Sequence, residues 1–255
     1  MNTSIKPLNL NWALSADLPK LDFVLPGLEP ETFGLIVAPG GTGKTFFGLE
    51  LVVSVALGRS VAGGLFPAAA PAKAVYVAAE ESGHMLAERL RTLTQVDERV
   101  DPNLHQNLLV FPLSGEDGRL IKGGKTTPLF DHIKTHAADA RLIIVDPVRL
   151  LHDGEENDSA SAARFVSVMG QLARACGAAV IGIHHANRTS AENAGSQNAA
   201  RGSSALVDGA RWQLNLSRMS EKDAGKYGNR VTNACCTWRW TLPRPITLRR
   251  SPVVG

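Results

Sequence analysis

Short runs of consecutive apolar residues alternate along this chain with longer stretches whose apolar positions recur every three or four residues. Phe33-Gly34-Leu35-Ile36-Val37, Ala74-Val75-Tyr76-Val77-Ala78-Ala79, Leu108 to Leu113, Leu142-Ile143-Ile144-Val145-Asp146 and Ala178 to Ile183 read as strands. Between them, four segments read as helices: Phe46 to Leu57, a stretch capped by Ser82, Leu129 to Ala138, and Ser159 to Ala175. The Ser82 helix carries Met85, Leu86, Leu90 and Leu93 on one side; the last helix carries Phe165, Val168, Met169 and Leu172, with Gly177 as its stop. Strands apolar on both faces, alternating with helices, predict an α/β fold with a mostly parallel central sheet and helices on both faces. From Arg211 onward, Trp212, Leu214 and Leu216 alternate with polar residues and predict a strand with one solvated face. Asn187 to Ala200, rich in Ser, Asn, Gly and Ala, reads as a long functional loop.

The junction of the first strand and first helix carries chemistry. Ala38-Pro39-Gly40-Gly41-Thr42-Gly43-Lys44-Thr45 follows G-x-x-x-x-G-K-[ST] except that Ala38 holds the first Gly position. A Gly-rich loop between strand and helix turns backbone N–H groups and the positive end of the helix dipole toward phosphate. Lys44 adds a cation, and the Thr45 hydroxyl is placed to ligate Mg²⁺. Pro39 to Thr45 is therefore the expected cradle for a nucleoside triphosphate. In an open parallel sheet, ligands sit beyond the carboxyl ends of the strands, and this chain puts Lys44, Glu80, Asp146 and His184/His185 there. Asp146 is expected to hold Mg²⁺ through water and Thr45; the competing role is a helix N-cap. Glu80 is placed to polarise an attacking water, with Glu81 competing for the role. His184 and His185 adjoin on a strand and point to opposite faces, which argues against a metal site.

Composition changes the picture little. The 255 residues suit one domain, and 44% hydrophobic with 20% charged residues is ordinary globular composition. The start lacks a signal-peptide pattern and no run reaches the roughly 18 apolar residues of a bilayer span, so a cytoplasmic location and no membrane partner are expected. Cys176, Cys235 and Cys236 have no metal-ligand spacing, and Cys176 reads as core. The net charge of +3 is concentrated in residues 233–255, which hold Arg239, Arg244, Arg249 and Arg250 and no acid, leaving the body close to neutral.

The ordered set Leu21-Asp22-Phe23-Val24-Leu25-Pro26-Gly27-Leu28, the cradle, Ala79-Glu80-Glu81, Val145-Asp146, Ile183-His184-His185-Ala186 and Ala200-Arg201-Gly202-Ser203-Ser204-Ala205-Leu206-Val207-Asp208 resembles the RepA-type hexameric replicative helicases of plasmids. The resemblance runs from about Leu21 to Met219. It implies a RecA-like P-loop NTPase fold with an AAA-type ATP-binding domain, ATP and Mg²⁺ as cofactors, and a homo-hexamer translocating 5′→3′ on single-stranded DNA beside a plasmid initiator or primase. By position it makes Lys44 and Thr45 phosphate and Mg²⁺ ligands, Glu80 the catalytic base, Asp146 the Walker B acid and His185 the γ-phosphate sensor, with His184 beside it. Arg211 matches an arginine finger offered to the neighbour's nucleotide. Arg201, Arg188 and His184 are candidates for intersubunit or DNA contact. Loops 151–158 and 187–200 fall where such rings face their channel, and they contain few cations. An ATPase acting as a DNA- or protein-binding switch without unwinding is the alternative, and a nucleotide-binding remnant is a third reading.

The expected organisation is an N-terminal arm over 1–20, a RecA-like ATPase domain over 21–232, and an aberrant basic tail over 233–255. Asn233-Ala234-Cys235-Cys236-Thr237-Trp238-Arg239-Trp240 reads as neither strand nor helix. Read from each third base, the possible codons of Leu242 to Thr247 permit Ala-Lys-Ala-Asn-Tyr, a segment of the kind the family carries there. The tail is therefore expected to be out of frame and poorly ordered.

Overall fold

The computed structural model describes residues 6–15, 18–61, 64, 66–67, 69–155, 158–185, 204–218 and 238–241, with side chains left aside at 204, 217–218 and 238–241. Strands β1 (Phe33–Ala38), β2 (Ala74–Ala78), β3 (Leu108–Pro112), β6 (Leu142–Asp146), β7 (Ala179–His185) and β8 (Trp212–Arg218) are parallel, and β9 (Trp238–Thr241) pairs antiparallel with β8. The sheet order is β3-β2-β6-β7-β1-β8-β9. Strand β7 thus lies between the strand leading into the Gly-rich loop and the strand ending in Asp146. A small hairpin of β4 (Ile121–Lys122) and β5 (Lys125–Thr126) stands apart from the sheet.

The helices are α1 (Leu10–Ala13), α2 (Lys44–Leu57), α3 (Gly83–Leu93), α4 (Pro102–Asn107), α5 (Pro128–His136), α6 (Ser159–Cys176) and α7 (Ser204–Gly209). Helix α2 packs on the sheet face made by Ile36, Tyr76, Ile144 and Ile183; α5 and α6 cover the opposite face made by Leu35, Val75, Val145 and Val180. Every residue of β1, β2 and β6 is buried, as runs apolar on both faces require. This is a mostly parallel α/β architecture with helices on both faces of the sheet.

Caps behave as their residue types dictate. The Ser82 side chain accepts from the Met85 N–H at 3.3 Å, and Gly177 stops α6. Two local expectations are corrected. In α3 only Leu86 is buried; Leu90 and Leu93 are partly buried against the α2-side core, and Met85 is 49% exposed. In β8 the face expected to be solvated is not: Gln213 and Asn215 are buried, with Gln213 Nε2 donating to Asn215 Oδ1 at 2.7 Å.

Strand β9 corrects a third expectation, since Trp238–Thr241 falls in the tail read as having neither strand nor helix. The free edge of β8 offers backbone N–H and C=O groups, and pairing to such an edge makes few demands on side chains. No described helix is long and apolar enough to cross a membrane.

Candidate nucleotide site

Parity along the strands decides which side chains meet. On β6, Leu142 and Ile144 belong to the α2 face, so Asp146, two residues on, projects there as well; Tyr76 has the same parity on β2 and His185 on β7. His184 consequently faces the α6 side. The sheet thus delivers one histidine to the first turn of α2 and takes the other away.

The loop between β1 and α2 is held by its own side chains. Thr42 Oγ1 donates to the Pro39 carbonyl at 2.7 Å, and Lys44 Nζ donates to the same oxygen at 3.0 Å. Gly41 and Gly43 have φ of 69° and 78°, a region that glycine enters at little cost. Ala38 has no such requirement: it closes β1 in extended register with His185, so alanine serves where the usual pattern has glycine. No side chain caps α2, and the N–H groups of its first turn remain directed at the loop.

Asp146 lies at the centre. Its Oδ2 accepts from Thr45 Oγ1 at 2.8 Å and from Tyr76 Oη at 2.6 Å. Burial raises its carboxyl above the usual carboxylate range, although both hydroxyls and Lys44 act in the opposite direction. Burial likewise lowers Lys44, opposed by Asp146 and Glu80, and raises the Tyr76 phenol well above its ordinary value. A buried carboxylate hydrogen-bonded to the Thr45 hydroxyl is a hard-oxygen donor set that suits Mg²⁺.

His185 is held below its ordinary value, first by burial and then by the charges of Lys44 and Arg149. Its Nδ1 lies 3.4 Å from Lys44 Nζ. An ammonium can only donate, so Nδ1 accepts and the neutral ring carries its proton on Nε2. This tautomer offers an N–H donor beside the cradle.

Glu80, just beyond β2, is paired through Oε1 with Arg149 Nη2. The competing acid Glu81 is held by Arg89, which donates to its two oxygens at 2.6 and 2.5 Å and lies 4.7 Å over the Phe46 ring. Both oxygens of Glu81 are thus committed to a structural contact, which leaves Glu80 as the acid facing the site.

Lys44, Thr45, Asp146, Glu80 and His185 therefore converge at one edge of the sheet. His184 does not join them: it is buried and borders a cavity of about 40 Å³ with Arg149, His152, Glu155 and Leu206. Arg211 is also elsewhere. Its backbone N–H donates to the Phe33 carbonyl at the amino end of β1, so it stands about 16 Å from this chain's own loop, the length of the strand. There it lines a groove of about 650 Å³ with Arg174, Glu29 and Glu31. Arg188 and Arg201 lie outside the described residues.

Two partners escaped sequence reading. Tyr76 carried a usable signal, because a tyrosine inside a fully buried strand needs a partner for its hydroxyl. Arg149 carried none; it meets Glu80 only because β2 and β6 are neighbours in register Ala78 to Asp146. Tyr76 fits beneath α2 because position 48 is glycine. A Cβ at Gly48 would lie 2.8 Å from Ile183 Cδ1 and 3.0 Å from Tyr76 Cε2. Gly48→Ala is expected to cost about 1–3 kcal/mol in chemical denaturation. An unchanged midpoint would show that the Tyr76 ring yields freely.

Fold and site together define a P-loop NTPase. A family model described as an AAA domain matches residues 3–191, well over half of the chain, and the chain belongs to that family of ATPase domains. Among solved structures, one described as the ATPase domain of G40P is similar with 15% identity and a TM-score of 0.48, over 82% of this chain and 80% of that one.

Proposed function

We propose that this chain is an ATP-hydrolysing DNA motor, a replicative helicase of the plasmid RepA type. In this reading a homo-hexameric ring translocates 5′→3′ on single-stranded DNA, beside a plasmid initiator or primase. The observation that carries it is the convergence of Lys44, Thr45, Asp146, Glu80 and His185 at one sheet edge, in a chain whose His-His and Arg-Gly-Ser-Ser elements resemble that family.

The chemistry follows from the positions. The loop N–H groups and Lys44 hold the β- and γ-phosphates of ATP. Mg²⁺ bound at Thr45, and at Asp146 through water, would supply charge to the phosphate oxygens. Glu80 accepts the proton of the attacking water, while His185 Nε2–H donates to the γ-phosphate oxygens and marks their departure as phosphate leaves. Arg211, remote from this chain's own loop, is free to serve the nucleotide of an adjacent copy, where a cation stabilises transition-state charge.

Ring assembly is supported by the N-terminal segment. Leu8, Trp12, Leu14 and Leu21 are 65%, 53%, 83% and 70% exposed, an apolar run that a second surface would cover.

The test is ATP-dependent unwinding of forked duplexes tailed on one strand or the other. Unwinding that requires the 5′ tail is expected. Hydrolysis stimulated by single-stranded DNA without unwinding would instead support the switch reading, which the engagement of Glu80 by Arg149 favours. Absence of hydrolysis would leave a nucleotide-binding remnant. A second version, with the tail after about residue 233 restored to the third-base frame, separates damage in the tail from failure of the reading.

A further inference from the structure

Tyr76 stands in the middle of β2, fully buried and in register with Ile144 of β6. The core layer to which it belongs is apolar, with Ile36, Leu51, Ile144 and Ile183 among its members. A phenol in such a layer lowers stability unless its hydroxyl is paired, whereas a phenylalanine would fill nearly the same volume without that demand. Here the hydroxyl is paired with Asp146: Oη donates to Oδ2 at 2.6 Å. The helix above makes room for the ring at Gly48, where a Cβ would lie 3.0 Å from Tyr76 Cε2 and 3.3 Å from its Oη. Glycine inside a helix is itself unfavourable. Two residues poorly suited to packing, a phenol in an apolar layer and a glycine within α2, thus converge on one hydrogen bond to one carboxylate.

Thr45 Oγ1 reaches the same Oδ2 at 2.8 Å from the first turn of α2. Donors from β2 and α2 therefore fix a carboxylate that closes β6. Among the described residues no hydrogen bond is made to Oδ1, which leaves that oxygen for a water carried by Mg²⁺. Thr45 cannot hold Asp146 alone, because its oxygen is also the one placed to ligate the ion. Tyr76 lies deeper and has no second task. Partners that orient a metal-binding group from behind typically matter by about 10–100-fold in metal affinity or activity. We propose that Tyr76 is a positioning residue: its hydroxyl holds Oδ2 of Asp146, keeps Oδ1 for the Mg²⁺ water, and so sets how strongly Mg²⁺ supports nucleotide binding. This role rests on the nucleotide and Mg²⁺ part of the proposed function and needs neither DNA nor a ring. Tyr76 touches no reacting atom, and no proton moves to or from it.

The experiment titrates a fluorescent ADP analogue onto the full chain and its Tyr76→Phe, Asp146→Asn and Tyr76→Phe/Asp146→Asn variants, in Mg²⁺ and in chelator. In chelator, Tyr76→Phe is expected to bind with an unchanged Kd, since the loop and Lys44 are untouched. In Mg²⁺ its Kd is expected to rise about tenfold, as is the Mg²⁺ concentration that gives half-maximal binding. Where Asp146 is already asparagine, removing the phenol is expected to change neither value, because Tyr76 acts through that carboxylate. Equal weakening with and without Mg²⁺ would overturn the proposal by making Tyr76 a support of the fold, and an unchanged Mg²⁺ requirement would overturn it too. If Tyr76→Phe alone does not fold, as read by circular dichroism, adding Asp146→Asn is expected to restore folding, since a buried amide tolerates the loss of a donor better than a buried carboxylate does. A double variant that also fails to fold would overturn the proposal by making the tyrosine a core residue. An unaltered chain whose binding ignores Mg²⁺ would overturn it together with the metal role of Asp146. Mg²⁺-dependent binding that weakens in Tyr76→Phe, in a chain that neither hydrolyses ATP nor unwinds DNA, would uphold it while the motor reading fails.

Discussion

Glu80→Gln is expected to slow ATP hydrolysis by about 10²–10⁴-fold while leaving nucleotide affinity nearly unchanged. Glutamine keeps the size and polarity of the side chain and one oxygen for Arg149, so the loss isolates the proton-accepting step. Affinity should persist because, on the proposed reading, the loop N–H groups and Lys44 would make the phosphate contacts, and Lys44 donates within the loop to Pro39. Glu81→Gln provides the control. Both oxygens of Glu81 are bound by Arg89, so that variant should change kcat less than tenfold and act through local packing around Phe46. Parallel measurement of turnover and of fluorescent-nucleotide binding checks both expectations. Equal rates for Glu80→Gln and the unaltered chain would remove Glu80 from the mechanism and favour a protein that binds nucleotide as a switch.

Asp146→Asn should abolish hydrolysis and yet make the protein more stable. On the proposed reading Asp146 would hold Mg²⁺ through water, and the lost function follows from replacing that carboxylate by a neutral amide. The gained stability follows from burial, which raises the Asp146 carboxyl above 3.8 and so opposes folding with the group charged. The amide oxygen can still accept from Thr45 and Tyr76, whose hydroxyls share one carboxylate oxygen in the native site.

The direction with pH is fixed by linkage. A carboxyl whose folded value lies above its unfolded value binds more protons when folded, so the native chain loses stability as pH rises from 3.8 through the raised value. The advantage of Asp146→Asn therefore grows as pH rises through the raised value and vanishes toward pH 3.8. A rise in Tm of a few degrees is expected, about 2–4 °C per kcal/mol for a domain of this size. Thermal unfolding in chelator and without nucleotide, at neutral and acidic pH, makes the measurement. A lower Tm at neutral pH would show that the hydroxyl bonds outweigh the burial of charge.

Much of the site could be read from residue order, because its parts are local. A strand, a Gly-rich turn and a helix make the cradle within a single stretch of chain, and the acid closing a doubly apolar run must lie at a strand's carboxyl end. Period-two alternation places His184 and His185 on opposite faces, and the observed sheet carries this out: His185 meets Lys44 and His184 goes to the α6 side. What alternation along one strand cannot supply is the identity of the neighbours. Trp212, Gln213, Leu214 and Asn215 looked like a strand with one wet face, but Gln213 and Asn215 are buried as well as Trp212 and Leu214. Met85 shared a helical stripe with Leu86, Leu90 and Leu93 yet stays exposed, while the three leucines pack on the α2-side core.

The sequence by itself determined the alternation of buried strands and helices, the phosphate loop, and which acids and histidines stand at strand ends. Those properties depend on spacing along the backbone and on the burial that apolar runs demand. Tertiary structure alone decided that Tyr76 shares Asp146 with Thr45, that Arg149 holds Glu80 while Arg89 holds Glu81, and that Arg211 stands a strand's length from the chain's own cradle. Each of these depends on which strands become neighbours and in what register. Strand order is set by the packing of the whole sheet, and no local spacing encodes it.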